Sequence, residues 1–264
     1  MARYRFRYKG IICDVYEPKS GSTPYAAIFL YGFPATIGEN SATDLLLSCG
    51  FTVLQPHYSG TYDSDGLFSP QSAIETLQTL IEAMSSGEAY DLKKEFLRTL
   101  PTDAVICVGY SFGCMIALRA LPYLSCLRTL LLVSPALSYG NAPLRSGFRE
   151  GGPEFLDYVR RSRPFTYRLA EALFWNELYS GAFNDPTGPP SESLRSIVGL
   201  VGRQDPAFDL ELLQQNFISV IQRYTNVQAD IKLVVVEDGD HRINSLIKDQ
   251  NKQMLKEACL RDLL

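Results

Sequence analysis

The chain has little that would tie it to a partner through charge alone. Its 264 residues carry 25 Lys and Arg against 29 Asp and Glu, a net charge of -4. No basic block gathers to neutralise phosphates and no acidic tail follows, which argues against nucleic acid as a partner. Long apolar runs are missing too, so no stretch is expected to span a bilayer. The opening MARYRFRYKG alternates basic and aromatic residues where a secretory signal needs an unbroken apolar stretch, and the expected location is cytoplasmic. The six cysteines (Cys13, Cys49, Cys107, Cys114, Cys126, Cys259) have no C-x-x-C spacing, so disulfides and a cysteine-bound metal are not expected. No internal repeat or low-complexity segment breaks the chain. What is present is an ordinary globular mixture, 46% apolar and 20% charged, enough for one substantial core.

Two alternating runs, 4–8 and 11–16, flank Lys9-Gly10 and predict a β-hairpin forming one antiparallel edge. After a Ser/Gly/Pro loop, short apolar strands alternate with amphipathic segments, the pattern of a parallel sheet with helical crossovers. Strands are predicted over 26–31, 52–56, 104–110, 129–134, 196–202 and 231–236, and helices over 41–48, 70–84, 112–121, 210–224 and 243–260. Ser69 followed by Pro70 is a cap-and-first-turn signature for the second helix. From 138 to 194 the strand rhythm stops in favour of Gly, Pro, Arg and an aromatic helical pattern. That interval reads as an inserted helical cap on a core made of 1–137 and 195–264.

One run concentrates chemistry. In AVICVGYSFGCMIALRAL, Gly109-Tyr110-Ser111-Phe112-Gly113 joins a buried-strand pattern to a helix pattern. A serine at so sharp a strand-to-helix turn is held in a strained backbone, with glycines two positions to either side removing Cβ atoms that would clash. The helix that starts there aims its first amides and positive end at any oxygen gaining charge. A glycine-rich turn without catalytic meaning would show the same string, but not the strand and helix around it.

With this elbow the chain resembles the α/β-hydrolase superfamily, and four further landmarks carry the resemblance from Tyr25 to the C-terminal helix. In FLYGFPAT a strand ends at Tyr31 and opens into Gly32-Phe33-Pro34, where that family usually has His-Gly. The resemblance implies an oxyanion hole from the backbone amides of Phe33 and Phe112. HYSGTYDSDG, from His57 to Gly66, looks like the family's R-G-x-G-x-S-x-G loop without its arginine. IVGLVGRQDPAFD ends a strand at Gly202 and places Asp205-Pro206 where such enzymes carry the acid, with Asp209 close enough to compete as a turn cap. LVVVEDGDHRI runs a β-branched strand into a loop holding His241, the family's position for the base. There are only two histidines, and His57 precedes the serine on a strand-exit loop, so it reads as loop packing or a substrate contact.

The order Ser111, Asp205, His241 matches the hydrolase arrangement. Asp238 and Asp240 could make the His241 loop a charged turn or raise the histidine's pKa. The expected activity is hydrolysis of an ester or related acyl bond in a small, partly apolar molecule through an acyl-enzyme on Ser111, with no metal or organic cofactor. Thioesterase, amidase, peptidase and carbon-carbon hydrolase chemistry use the same triad, and a non-catalytic ligand receptor could keep the scaffold. Tyr31, Tyr110, Phe174 and Trp175 are expected to contact the substrate. The cap rings Phe155, Tyr158, Phe165, Tyr167, Phe174, Trp175, Tyr179 and Phe183 would wall a pocket or bind the cap to the sheet. Arg145, Arg149, Arg160, Arg161 and Arg163 would meet an anionic substrate end or face solvent. The sequence leaves the oligomeric state open.

Overall fold

A computed structural model describes residues 2–21, 23–137, 153–180, 185–225 and 228–261. In chain order the elements are β1 (Ala2–Tyr8), β2 (Ile11–Glu17), β3 (Tyr25–Leu30), α1 (Ser41–Ser48), β4 (Thr52–Pro56), α2 (Pro70–Ser86), β5 (Ala89–Asp91), β6 (Phe96–Arg98), β7 (Ala104–Tyr110), α3 (Phe112–Ala120) and β8 (Leu127–Val133). Then follow α4 (Pro153–Ser162), a 3-10 turn (Ala172–Trp175), α5 (Asn176–Ser180), β9 (Ser196–Gly202), α6 (Leu210–Gln222), β10 (Asp230–Val236), α7 (Ile243–Leu246) and α8 (Asp249–Leu260). Among the described residues one sheet runs β10-β9-β8-β7-β3-β4-β2-β1-β5-β6. The six strands from β10 to β4 are mutually parallel, and the rest pair antiparallel.

The inner parallel strands read as apolar runs because helices cover the sheet there, while the outer strand β10 stays partly exposed. Every residue of β4 and of β9 is buried, and so are all but the end residues of β7. Helix α2 packs on α3, while α1 packs on α7 and α8. Ser69 caps α2 through a reciprocal bond with Ser72, Pro70 begins the helix, and Gly87 ends it in the left-handed region at φ 69°. These local signals are why α2 starts where the sequence predicts.

Two expectations need correction. The N-terminal hairpin is not the sheet's edge, because β1 also pairs with β5, and β6 lies outermost. The three-residue strands β5 and β6 are too short for an alternation to show, and their order comes from β1. The predicted helix over 243–260 is two helices, since Ile247 leaves helical geometry and the Asn251 side chain accepts the Lys248 N–H at 3.0 Å to start α8. Between β8 and β9 lie α4, the 3-10 turn and α5, an inserted helical cap on a mostly parallel sheet. Residues 138–152 of the predicted cap, with Arg145 and Arg149, lie outside the described residues, as do Phe183 and the side chain of Tyr179.

The chain enters the parallel part of the sheet at β3, crosses to β4 on one side, and returns to β7 on the other. The crossovers therefore diverge at the carboxyl ends of β3 and β7, which leaves a crevice there. Those two ends carry Gly32-Phe33 and Ser111.

Candidate active site

Ser111 joins β7 directly to α3 with φ 51° and ψ -117°, a left-handed conformation that a non-glycine residue adopts only at a cost. Its N–H donates to the Val133 carbonyl at 2.9 Å and its carbonyl accepts from Cys114 N at 3.0 Å, which hold the turn. The flanking glycines are steric requirements. A Cβ on Gly109 would lie 2.6 Å from Cys114 Cα, and one on Gly113 would collide with the Leu30 carbonyl oxygen. The turn can fold tightly onto α3 at Gly109 and approach β3 at Gly113 only because neither residue has a side chain. Gly32 is close on the other side, where an added Cβ would meet Ser111 Cβ at 3.1 Å. The Gly32 backbone thus lies against the serine, and Phe112 is the first residue of α3.

His241 follows β10, and its Nε2 is 3.2 Å from Ser111 Oγ. Its Nδ1 is 2.9 Å from Asp205 Oδ2 and 3.1 Å from Oδ1. A carboxylate only accepts, so the ring proton sits on Nδ1 and Nε2 is left to accept from the serine. Asp205 is 3% exposed. Its Oδ1 accepts the Ala207 N–H at 2.9 Å and its Oδ2 accepts the Ser134 hydroxyl at 3.1 Å. The histidine loop is pinned from below, where the Tyr110 hydroxyl donates to the His241 carbonyl at 3.1 Å and Ser134 Oγ lies 3.2 Å from the same oxygen. The rings of Phe208 and Tyr110 flank the imidazole at 5.5 and 5.7 Å.

Three residues spread over 130 positions of chain thus form one relay, from buried carboxylate to imidazole to a serine that is 4% exposed. Asp209 is separate: it caps α6 by accepting the Leu212 N–H. Asp240 is engaged by Arg242 and Ser245, which hold its carboxyl well below the usual range, and Asp238 bonds Lys248.

The substrate contacts expected from the sequence divide. Tyr110 borders the histidine. Tyr31 does not face a ligand: its ring is 1% exposed and its hydroxyl bonds Thr61 Oγ1 at 2.7 Å and Tyr58 N at 3.0 Å. Where the family's His-Gly loop has an imidazole, this phenol is turned inward to anchor the neighbouring loop. Trp175 is likewise enclosed, stacked on Phe33 at 5.1 Å, whereas Phe174 next to it is 56% exposed. Phe33 sits among Phe68, Phe112, Phe155, Tyr167 and Trp175, so the last three, from the cap, join it to the loop after β3. Tyr158 and Phe165 point outward. Arg160 pairs with Asp157 at the surface.

His57 is fully buried, with Nε2 3.3 Å from Asp14 Oδ2 and its carbonyl accepting from Ser64. Burial pushes the Asp14 carboxyl up, but bonds from His57 and Arg5 outweigh this and hold it well below the usual range. This is a structural anchor of the loop after β4.

Sequence reasoning missed Ser134. The signal was a polar residue at the carboxyl end of an apolar strand beside the nucleophile strand, and it sits at φ 46°, another non-glycine residue in the left-handed region.

A model of the alpha/beta hydrolase family matches residues 41–256. Solved structures of similar fold include Est1E from Butyrivibrio proteoclasticus with ferulic acid bound, at 17% identity over 98% of this chain and 97% of that one, TM-score 0.60. The esterase Pf2001 of Pyrococcus furiosus is 16% identical over 98% and 89%, TM-score 0.63. Mouse alpha/beta hydrolase domain-containing protein 10 is 15% identical over 100% and 98%, TM-score 0.60. No curated protein sequence matches the chain.

Proposed function

The chain belongs to the alpha/beta hydrolase family, and from that premise we propose that it is a serine esterase, cleaving an ester of a small, partly apolar molecule through an acyl-enzyme on Ser111. The observation that carries this reading is the relay itself, with Ser111 Oγ 3.2 Å from His241 Nε2 and Nδ1 2.9 Å from Asp205.

Ser111 attacks the substrate carbonyl while His241 Nε2 takes its proton. Asp205 keeps the proton on Nδ1 and stabilises the imidazolium that results. The tetrahedral oxygen gains negative charge in front of the Phe33 and Phe112 amides and the positive end of α3. His241 then gives its proton to the departing alkoxide, and a water deprotonated by the same nitrogen releases the acid. The interval 138–194 acts as the cap over this crevice. Tyr110 and Phe208 beside the imidazole favour an apolar group near the reacting bond. The ferulic acid held by Est1E makes aryl-acid esters a sensible part of a first panel.

The test is labelling with a fluorophosphonate and peptide mass spectrometry, followed by assay on acyl esters of graded length. An adduct on Ser111 that disappears in His241→Ala, together with ester turnover abolished in a folded Ser111→Ala, is the expected result. Folded protein that takes no adduct would overturn the reading.

A further inference from the structure

The oxyanion loop draws little support from strand pairing. Its polar groups are taken up instead by side chains reaching in from other elements. The Tyr167 hydroxyl accepts the Ala35 N–H at 2.9 Å and donates to the Ala35 carbonyl at 2.9 Å. The Tyr62 hydroxyl donates to the same carbonyl at 2.7 Å and accepts the Ile37 N–H at 3.2 Å. Gln55 Oε1 accepts the Gly38 N–H at 3.0 Å. Both backbone groups of the residue two positions after Phe33 are therefore bonded to one phenol, and that phenol belongs to the cap segment.

Tyr167 is itself placed with little freedom. Residues on either side of it are laced to the loop after β4: Tyr62 N donates to Thr166 O at 2.8 Å, Arg168 N to Gly60 O at 2.8 Å, and Phe68 N to Arg168 O at 2.7 Å. Gly60, at φ 76°, permits this approach, because a Cβ there would collide with the Phe68 amide. The Arg168 guanidinium closes the seam by donating to the Tyr62 and Ser64 carbonyls. The Tyr167 ring meets the Phe33 ring edge-on at 5.2 Å. One side chain thus grips the oxyanion loop twice, by ring on Phe33 and by hydroxyl on Ala35.

We propose that Tyr167, assisted by Tyr62, is a positioning residue for the reaction: it couples the cap to the oxyanion loop and holds the Phe33 amide toward Ser111. The proposal rests on the serine-esterase reading. Tyr167 touches neither substrate nor reacting atoms and acts only through the Tyr31-to-Ile37 backbone. Once the phenol oxygen is gone the half-buried Ala35 N–H loses its acceptor and the Ala35 carbonyl keeps only the Tyr62 hydroxyl, so the loop shifts toward water. A shift of a few tenths of an ångström there is felt mainly where charge develops on the substrate oxygen.

Tyr167→Phe keeps the ring and deletes the hydroxyl. Expected is a fall in kcat of about ten- to a hundred-fold with KM changed less than about three-fold. The affinity for a boronic acid or trifluoromethyl ketone, which forms a tetrahedral adduct on serine, should weaken in parallel with kcat, while affinity for the product carboxylic acid stays put. Equal kcat, or a loss confined to KM or to thermal stability, overturns the proposal. If the variant does not fold, Tyr62→Phe is read in the same way, with a smaller kcat effect expected and no effect overturning it. Wild-type labelling runs in parallel: a wild-type chain that takes no fluorophosphonate on Ser111 overturns the esterase reading and this proposal with it, whereas a labelled wild type and an unaffected variant overturn the proposal alone.

Discussion

Replacing Asp205 by Asn tests the relay at its least exposed member. The Ala207 N–H donates to Oδ1, so in the variant that position must keep an oxygen. The amide nitrogen then falls at the Oδ2 position, 2.9 Å from His241 Nδ1 and 3.1 Å from Ser134 Oγ. Two N–H groups cannot face each other at 2.9 Å, nearer than the retained oxygen at 3.1 Å, so the imidazole moves its proton to Nε2 and offers Nδ1 as acceptor. Ser134 adapts without loss, because its hydroxyl can accept from the amide and donate to the His241 carbonyl. Packing and volume are unchanged, yet Nε2 now points a hydrogen at Ser111 and cannot take the serine's proton. In triads of this kind the wrong tautomer costs roughly 10⁴-fold in kcat, or about 5 kcal/mol of transition-state stabilisation. The assay is steady-state hydrolysis of a chromogenic ester across pH, with circular dichroism to check the fold. Activity should recover as hydroxide replaces the lost base. A well-folded variant that loses less than about ten-fold at neutral pH would refute the tautomer argument.

Other perturbations follow from the same geometry. Ser134→Ala removes the hydroxyl donor to Asp205 but not the Ala207 amide, so kcat should fall about ten-fold with KM little changed, and an unaltered kcat in the same ester assay would show that Ser134 has no part in holding the acid. Gly113→Ala drives a methyl into the Leu30 carbonyl; a loss of about 2–3 kcal/mol is expected, seen as a melting temperature lower by roughly 5–10 °C in calorimetry, and a variant as stable as wild type would contradict the close approach of the elbow to β3. Asp14→Asn breaks the buried contact with His57 and Arg5 and should destabilise the fold by about 3 kcal/mol at pH 7. Because the folded state holds the Asp14 carboxyl below its unfolded value, that stabilisation is present above about pH 4 and is lost as pH falls toward the folded value. Denaturant unfolding of both proteins should therefore show the gap narrowing below about pH 4, and a gap independent of pH would exclude this origin.

The cap and the catalytic loops share their packing. Phe33 lies on the loop proposed to form the oxyanion hole, and its ring joins the cluster that includes Phe155, Tyr167 and Trp175. Closely packed rings transmit displacement, so changes in the cap reach the crevice through Phe33 as well as through the Tyr167 hydroxyl.

Much of this protein was legible in the one-dimensional pattern because the signals were local. Buried parallel strands read as apolar runs, Ser69-Pro70 announced α2, and Gly109 and Gly113 around Ser111 announced an elbow whose sterics need no distant partner to be inferred. The order Ser111, Asp205, His241 also follows from strand ends, since each residue sits just beyond a run that the period identifies. What the tertiary structure alone decided depends on groups far apart in the chain. The strands β5 and β6 exist because β1 offers them an edge, not because of their own sequence. Tyr31 had the right position for a substrate contact, but its direction was set by Thr61 and Tyr58, which take its hydroxyl inward. The separation of Asp205 from Asp209 came from which carboxylate reached an imidazole and which reached a helix amide. Ser134 and Tyr167 acquire their roles only from long-range contacts, with Asp205 71 positions away and Ala35 132 positions away. Period and glycine placement are properties of neighbouring residues, whereas the direction of a hydroxyl is settled by whichever donor or acceptor folding brings beside it.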